Sequence, residues 1–339
     1  MKDEVSGNGD GQLVESADLP PVETPSAEFI VRLFLIPLAI VVVLVGGWWL
    51  LVWFPFGKLP GGERDPLEYV RIIGSRNEAR RWRAAYELAS LIQTDADLAE
   101  DPKLLGALTE LLDTELDRKK DGDPQVEQYL AGALGAFHTR EAESPGGKKL
   151  DPIATLTRAA GPDRPEEVRQ AAAEALAIQA ARRHDTLEAP EAVRALDQAS
   201  QAGGPALRWK AVYALGFFGG DEALEVLRRR LGADDPYVRV NAAVPLARRG
   251  DLSCLPVARE MLSTKDLDQV IRLDNPAEKR ATIDSIQVGA LHSLEESIRH
   301  HRPELAERLR PEVEALSRSG TASIRTAAGA VLKSLPKAR

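Results

Sequence analysis

One cysteine in 339 residues, Cys254, excludes an intramolecular disulfide and any cysteine-rich zinc site. It stands among Leu252, Leu255 and Val257, a helical apolar context that points to a buried, inert thiol. Aromatic residues are scarce at 5%, although apolar residues reach 44%. Alanine, leucine and valine therefore supply the apolar surface, and alanine and leucine are the strongest helix formers. A basic excess is also missing: 44 Lys and Arg face 52 Asp and Glu, for a net charge of -8. Nucleic-acid binders normally neutralise phosphates with surplus positive charge, so nucleic acid is excluded as a partner.

Catalytic signatures are absent as well. The five histidines, His138, His184, His292, His300 and His301, show no metal-ligand spacing, and no histidine is followed by glutamate. His300-His301 close a helical stretch, where basic groups favour the C-terminus. Neither a P-loop, a GxSxG elbow nor a dinucleotide fingerprint stands in its proper context, and the early GNGDG lacks a strand before it. The loop DRKKDGDP at 117–124 lacks calcium-loop spacing and the closing glutamate. The expectation is a protein without catalytic residues, metal or cofactor, and not an enzyme.

One long apolar run is present. Residues 33–54, LFLIPLAIVVVLVGGWWLLVWF, carry no charge, and about 20 such residues suffice to span a bilayer. Trp48, Trp49 and Trp53 crowd its C-terminal end, where indoles anchor in the headgroup region. Before it, residues 1–32 hold two basic and seven acidic residues, with glycines and prolines that leave 1–28 without an apolar period. The expected organisation is a disordered acidic tail at 1–28, a transmembrane helix at 29–56, a linker at 57–64 and a repeat domain at 65–339. Lys58, Arg64 and Arg71 follow the span and only Arg32 precedes it. The positive-inside bias then places the repeats in the cytoplasm of a single-pass membrane protein.

From Asp65 onward the chain repeats itself. Apolar or small residues recur at offsets 0, 4, 5 and 8, as in Val168-Ala172-Ala173-Leu176, Leu207-Ala211-Val212-Leu215 and Val238-Ala242-Ala243-Leu246. Those offsets form one stripe of an α-helix. Seven such helices close on Leu88, Leu134, Leu176, Leu215, Leu246, Leu294 and Leu332. Their spacing suits helix pairs, with first helices such as Pro190–Ala202, Asp221–Leu231 and Pro303–Leu316. Pro245, inside one stripe, is expected to kink its helix. The fold class is all-α: a solenoid of about seven helix pairs, preceded by one transmembrane helix.

The segment LEVLRRRLGADDPYVRVNAAVPLARRGD, with its Asp-Pro-x-Val-Arg turn, resembles the HEAT-repeat family, in the short bacterial form similar to the repeats of phycobilin lyases. ALRWKAVYALGFFGG and EEVRQAAAEALA match less fully. The resemblance covers roughly 65–339. It implies an arginine ladder at offset 1, formed by Arg81, Arg169, Arg208, Arg239 and Arg325, reaching acids in neighbouring inter-helix turns. Glu127 and Gln287 interrupt that series.

Two aromatic pairs, Trp82/Tyr86 and Trp209/Tyr213, stand at offsets 2 and 6, roughly opposite the apolar stripe. That side of the second helix faces the concave surface, so the four residues are candidate partner contacts, tryptophan and tyrosine being enriched among residues that dominate binding. The functional expectation is a membrane-anchored scaffold or adaptor that binds a protein partner, itself membrane-associated. The alternative is a lyase-type enzyme acting on a chromophore or prosthetic group.

Overall fold

The structure, a computed structural model, describes residues 65–75, 78–118, 121–184 and 186–336. They belong to the compact unit Asp65–Arg339. Its fold is an all-α solenoid of seven helix pairs: α1 (Pro66–Ile73) with α2 (Glu78–Thr94), α4 (Pro102–Asp117) with α5 (Pro124–Ala136), and α6 (Pro152–Ala159) with α7 (Glu166–Ala181). Next come α8 (Pro190–Ala202) with α9 (Pro205–Leu215), and α10 (Asp221–Arg230) with α11 (Pro236–Arg248). The last pairs are α12 (Leu255–Leu262) with α14 (Pro276–Arg299), and α16 (Arg310–Ser319) with α17 (Ala322–Ser334). Short helices α3 (Ala96–Ala99), α13 (Thr264–Val270) and α15 (Glu304–Arg308) serve as connectors.

Helix starts are set by a recurrent pair, an Asp or Asn followed by proline. Asp65, Asp101, Asp123, Asp151, Asp235 and Asn275 each cap a helix with the side-chain oxygen, and the next residue is proline. Asp101, for instance, accepts from the amide of Lys103 at 2.8 Å. The cap satisfies an orphan donor, and proline loses nothing at a position whose N–H has no intrahelical acceptor.

The stripe residues are the core. Val168, Ala172, Ala173 and Leu176 are fully buried, as are Leu207, Ala211, Val212 and Leu215. Consecutive second helices pack more closely than consecutive first helices at every step, least so from α9 to α11. That inequality curves the solenoid with the second helices inside. Small residues set the approach: a Cβ on Gly135 of α5 would lie 2.8 Å from the Cα of Ala175 on α7. Only glycine fits there. In α17 the burial moves, with Ala327, Ala328 and Val331 inside while Gly329 is exposed. No described helix follows to cover the offset-5 side.

Four features depart from the sequence reading. The first helix of the last repeat, expected over Pro303–Leu316, is divided at Leu309 into α15 and α16. Pro311 has no amide to donate back to the Glu307 carbonyl, so the hydrogen-bond ladder is interrupted there. A hairpin of β1 (Ala142–Glu143) and β2 (Lys149–Leu150), registered Ala142 to Leu150, stands between α5 and α6. Its backbone lies on α4, where a Cβ on Gly106 would meet the Glu143 carbonyl oxygen at 2.0 Å. α14 begins ten residues before its first stripe residue, Ile286, and Leu267, Ile271 and Ile283 form a small second core beneath that extension.

The fourth departure is the membrane helix. Among the described residues no helix is long and apolar enough to cross a membrane. The expected architecture is corrected accordingly: among the described residues it is the helix-pair solenoid alone, without a transmembrane helix. The run 33–54, with the anchors Trp48, Trp49 and Trp53, lies outside the described residues. No described helix supports the single-pass membrane localisation, the bilayer as a partner or a membrane-associated protein partner, and these expectations are withdrawn.

The ladder position carries its own chemistry. Arg81 Nε donates to the Ile73 carbonyl at 2.7 Å, Arg239 to Ala233 at 2.9 Å and Arg325 to Gly320 at 2.7 Å. Arg169 reaches Ala160 at 3.4 Å. The acceptors Ile73, Ala160 and Gly320 close the first helix of the same repeat and Ala233 lies in the turn just beyond it, where carbonyls lack intrahelical donors. Arg81 also pairs with buried Glu115, Arg239 with Glu260 at 2.7 Å, and Arg208 with Asp235 at 3.5 Å, all on the following repeat. Gln287 performs the same task, donating to Leu262 at 3.3 Å. Glu127 cannot donate. Arg164, from the next repeat, supplies the missing donor to Leu116 at 2.7 Å and stands 3.7 Å from Glu127. Burial pushes the Glu127 carboxyl up, opposed by Arg164 and assisted by the charge of Glu115.

Two predictions follow from this packing. Ala242→Leu overfills a fully buried contact and should cost about 1–3 kcal/mol in denaturant unfolding; an unchanged midpoint would show that the contact tolerates bulk. For the inverted rung, Arg164→Glu alone should cost about 3 kcal/mol, since it leaves buried like charges together. Adding Glu127→Arg should return about 1 kcal/mol or more of it. Strictly additive losses would mean that the two side chains do not interact.

Candidate functional site

The concave face is built from the sides of the second helices opposite the stripe. On α9, Trp209 and Tyr213 stand one turn apart at 36% and 48% exposure, unusual for large aromatics. The following residue of the row, Phe217, meets Tyr213 edge-on at 5.0 Å between ring centres. Together with residues of α11 and α14 these three rings line a cavity of about 820 Å³. Tyr237, Val240, Val244 and Pro245 of α11 and Glu278, Thr282 and Ser285 of α14 complete its lining. A second cavity of about 520 Å³ lies toward α7, bounded by Ile178 and Arg182 and sharing Tyr213 and Phe217 with the first. The two form one groove with an aromatic ridge between them.

Charges along the groove are mostly paired. Lys210 lies 5.8 Å over the Trp209 ring and forms an ion pair with Glu174. Arg248 sits 5.6 Å over Phe217, donates to the Gly216 carbonyl at 2.9 Å and stands 3.9 Å from Glu296. Arg182 donates to the carbonyls of Gly135 and Phe137 at 2.7 and 2.6 Å, and burial holds its guanidinium below the usual range. The Tyr237 phenol is pushed up, first by burial and then by the charges of Asp235 and Glu278.

The other candidate pair sits apart. Tyr86 is exposed and meets Tyr129 of α5 edge-on at 5.5 Å, while Trp82 is half-buried against the core beneath Arg83. Trp82 and Tyr86 line neither cavity. Sequence reasoning missed Phe217, Tyr237, Arg248 and Glu278. Phe217 continues the offset-2 and offset-6 row by one more turn, a signal that was available. Glu278 belongs to the extension of α14, announced by Asn275-Pro276, the same start that opens five other helices.

Among the described residues no group of His, Cys, Asp and Glu is placed to hold a metal ion. Cys254 is buried, and its thiol donates to the Asp251 carbonyl at 3.0 Å.

The sequence profile of HEAT repeats matches residues 153–244. No curated protein matches the chain. Solved structures of similar fold include the phycocyanin lyase complex of two subunits from a Nostoc species, 15% identical, covering 82% of this chain and 97% of that one, with a TM-score of 0.43. A designed armadillo repeat protein in complex with a Lys-Arg peptide is also 15% identical, covering 81% of this chain and all (100%) of its own, at a TM-score of 0.38. Human deoxyhypusine hydroxylase, in complex with glycerol, covers 80% and 96% at 15% identity and a TM-score of 0.30. These likenesses concern the fold. A helix-pair solenoid hosts binding proteins and enzymes alike, so the expectation that the chain is not an enzyme is withdrawn.

The thiol yields a prediction. Burial, assisted by the charge of Asp251, pushes Cys254 up to about 12, so at pH 8 roughly one molecule in ten thousand carries the thiolate that alkylating reagents attack. Native protein should resist iodoacetamide and react promptly once unfolded in urea, where the ordinary thiol value returns. Rapid labelling of the native form would place Cys254 at the surface.

Proposed function

We propose that the array is a protein-binding scaffold that takes an extended, largely apolar segment of a partner into its concave groove. The observation that carries this reading is the groove itself: two adjoining cavities, about 820 and 520 Å³, sharing the exposed ring of Tyr213. Aromatic side chains left open on a rigid concave face are the kind of residue that dominates binding energy, and exposed apolar patches of this kind mark interaction sites. Trp209 and Tyr213 are the contacts assigned to the partner.

A second reading is favoured by the size of the larger cavity. Sites for small molecules and cofactors measure about 300–1,000 Å³ and are mainly apolar with a few polar groups. A lyase-type enzyme would seat a chromophore or prosthetic group there, with Tyr237 and Glu278 as the titratable groups on its wall. The two readings separate by experiment. Mixing the purified array with the chromophore of phycocyanin should leave the visible absorbance unchanged if the site serves a peptide; a band shift abolished by Trp209→Ala would favour the lyase.

The scaffold reading is tested by changing Trp209 and Tyr213 together to alanine. Both are partly exposed, so the melting temperature should move by no more than a degree or two, while affinity for a partner isolated with the wild-type array should fall at least tenfold, or about 1.4 kcal/mol. Early unfolding, with binding that merely tracks the folded fraction, would reassign the pair to packing.

A further inference from the structure

The groove has one charge without a counterpart. Lys210 is paired with Glu174, Arg248 stands by Glu296 and the Gly216 carbonyl, and Arg182 is held by two carbonyls. Glu278 makes no ion pair and no side-chain hydrogen bond among the described residues, and it is exposed on the cavity wall. Its helix offers no remedy. The positions one turn on are Ala281 and Thr282, while neighbouring Lys279 is engaged with Asp268 at 2.9 Å.

The rest of that wall is suited to cations. Aromatic faces attract ammonium and guanidinium groups through the ring quadrupole, and the groove already does so twice, with Lys210 over Trp209 and Arg248 over Phe217. Tyr213 and Tyr237 line the same cavity as Glu278 and have no cation over them among the described residues. A carboxylate facing phenol rings in an apolar cavity is a receptor for positive charge carried on an apolar stem.

We propose that the partner segment received by the groove is basic as well as apolar, and that a lysine or arginine side chain from it enters the larger cavity with its cation at Glu278. The aliphatic stem of such a side chain lies against the aromatic wall, and the head needs only the one carboxylate. The inference rests on the scaffold reading and adds the chemistry of the segment.

The test uses the full chain and two nine-residue leucine-rich peptides that differ only at the centre, lysine in one and glutamate in the other. With each peptide carrying a fluorescent label and binding read as anisotropy at low ionic strength, the lysine peptide should bind at least tenfold more tightly. Glu278→Gln should remove most of that preference, and Glu278→Lys should reverse it. Glu278 also stands in the first turn of α14, where an acid favours the helix dipole, but any loss of stability there weakens both peptides alike and leaves their ratio unmoved. Equal binding of the two peptides, lost in the Trp209→Ala/Tyr213→Ala variant, would overturn the charge preference while the scaffold reading stands. A preference that survives in both Glu278 variants would overturn the assignment of Glu278. If neither peptide binds, the basic segment is wrong, and the scaffold reading is then judged on its own partner.

Discussion

The whole array depends on how closely one second helix can approach the next. Gly135 against Ala175 leaves no room for a methyl group, and the buried alanines at offsets 4 and 5 extend the same condition along the row. A helix pair of this size cannot bury its stripe alone, so each repeat is folded by its neighbours. Close approach on the inner row and looser approach on the outer row give curvature, and curvature makes a groove. The site is thus a consequence of small residues far from its own lining.

The polar side of the same problem is solved by the ladder. Seven first helices end in carbonyls that the following turn cannot satisfy by itself, and a long donor at offset 1 of the second helix serves most of them. The structure shows that the requirement is for a donor and not for arginine. Gln287 meets it with an amide, and in the second repeat the donor arrives from the other direction as Arg164, leaving an acid at position 127. What looks in the sequence like two interruptions is one interaction written in three ways.

Much of the fold was legible because the repeat encodes it twice, once as the apolar stripe and once as the Asp-Pro or Asn-Pro starts. The aromatic row on α9 was legible for the same reason: offsets 2 and 6 have a fixed direction on any helix. The α14 part of the lining was not. Stripe periodicity anchors a helix only where it buries something on the main core, and Pro276–Ser285 buries its apolar residue, Ile283, on a separate small cluster. Glu278 therefore lay outside every repeat that the period could define. Nor could the hairpin at 142–150 be read, since strands of two residues carry no alternation.

A solenoid with a uniform inner face would bind along its length without choosing a position. This one is not uniform. The aromatic rings of α9 and Phe217 form a ridge at the middle of the array, the irregular sixth repeat raises a polar wall beside it, and Pro245 lies against Gly216 in the lining. Each is a departure from the repeat, and all three fall within the same three consecutive second helices. Regular repeats supply curvature and rigidity; the departures supply the place where a ligand is held. That division explains why the residues that define the fold, alanine and leucine, contribute so little to the groove, and why the scarce aromatic residues gather there.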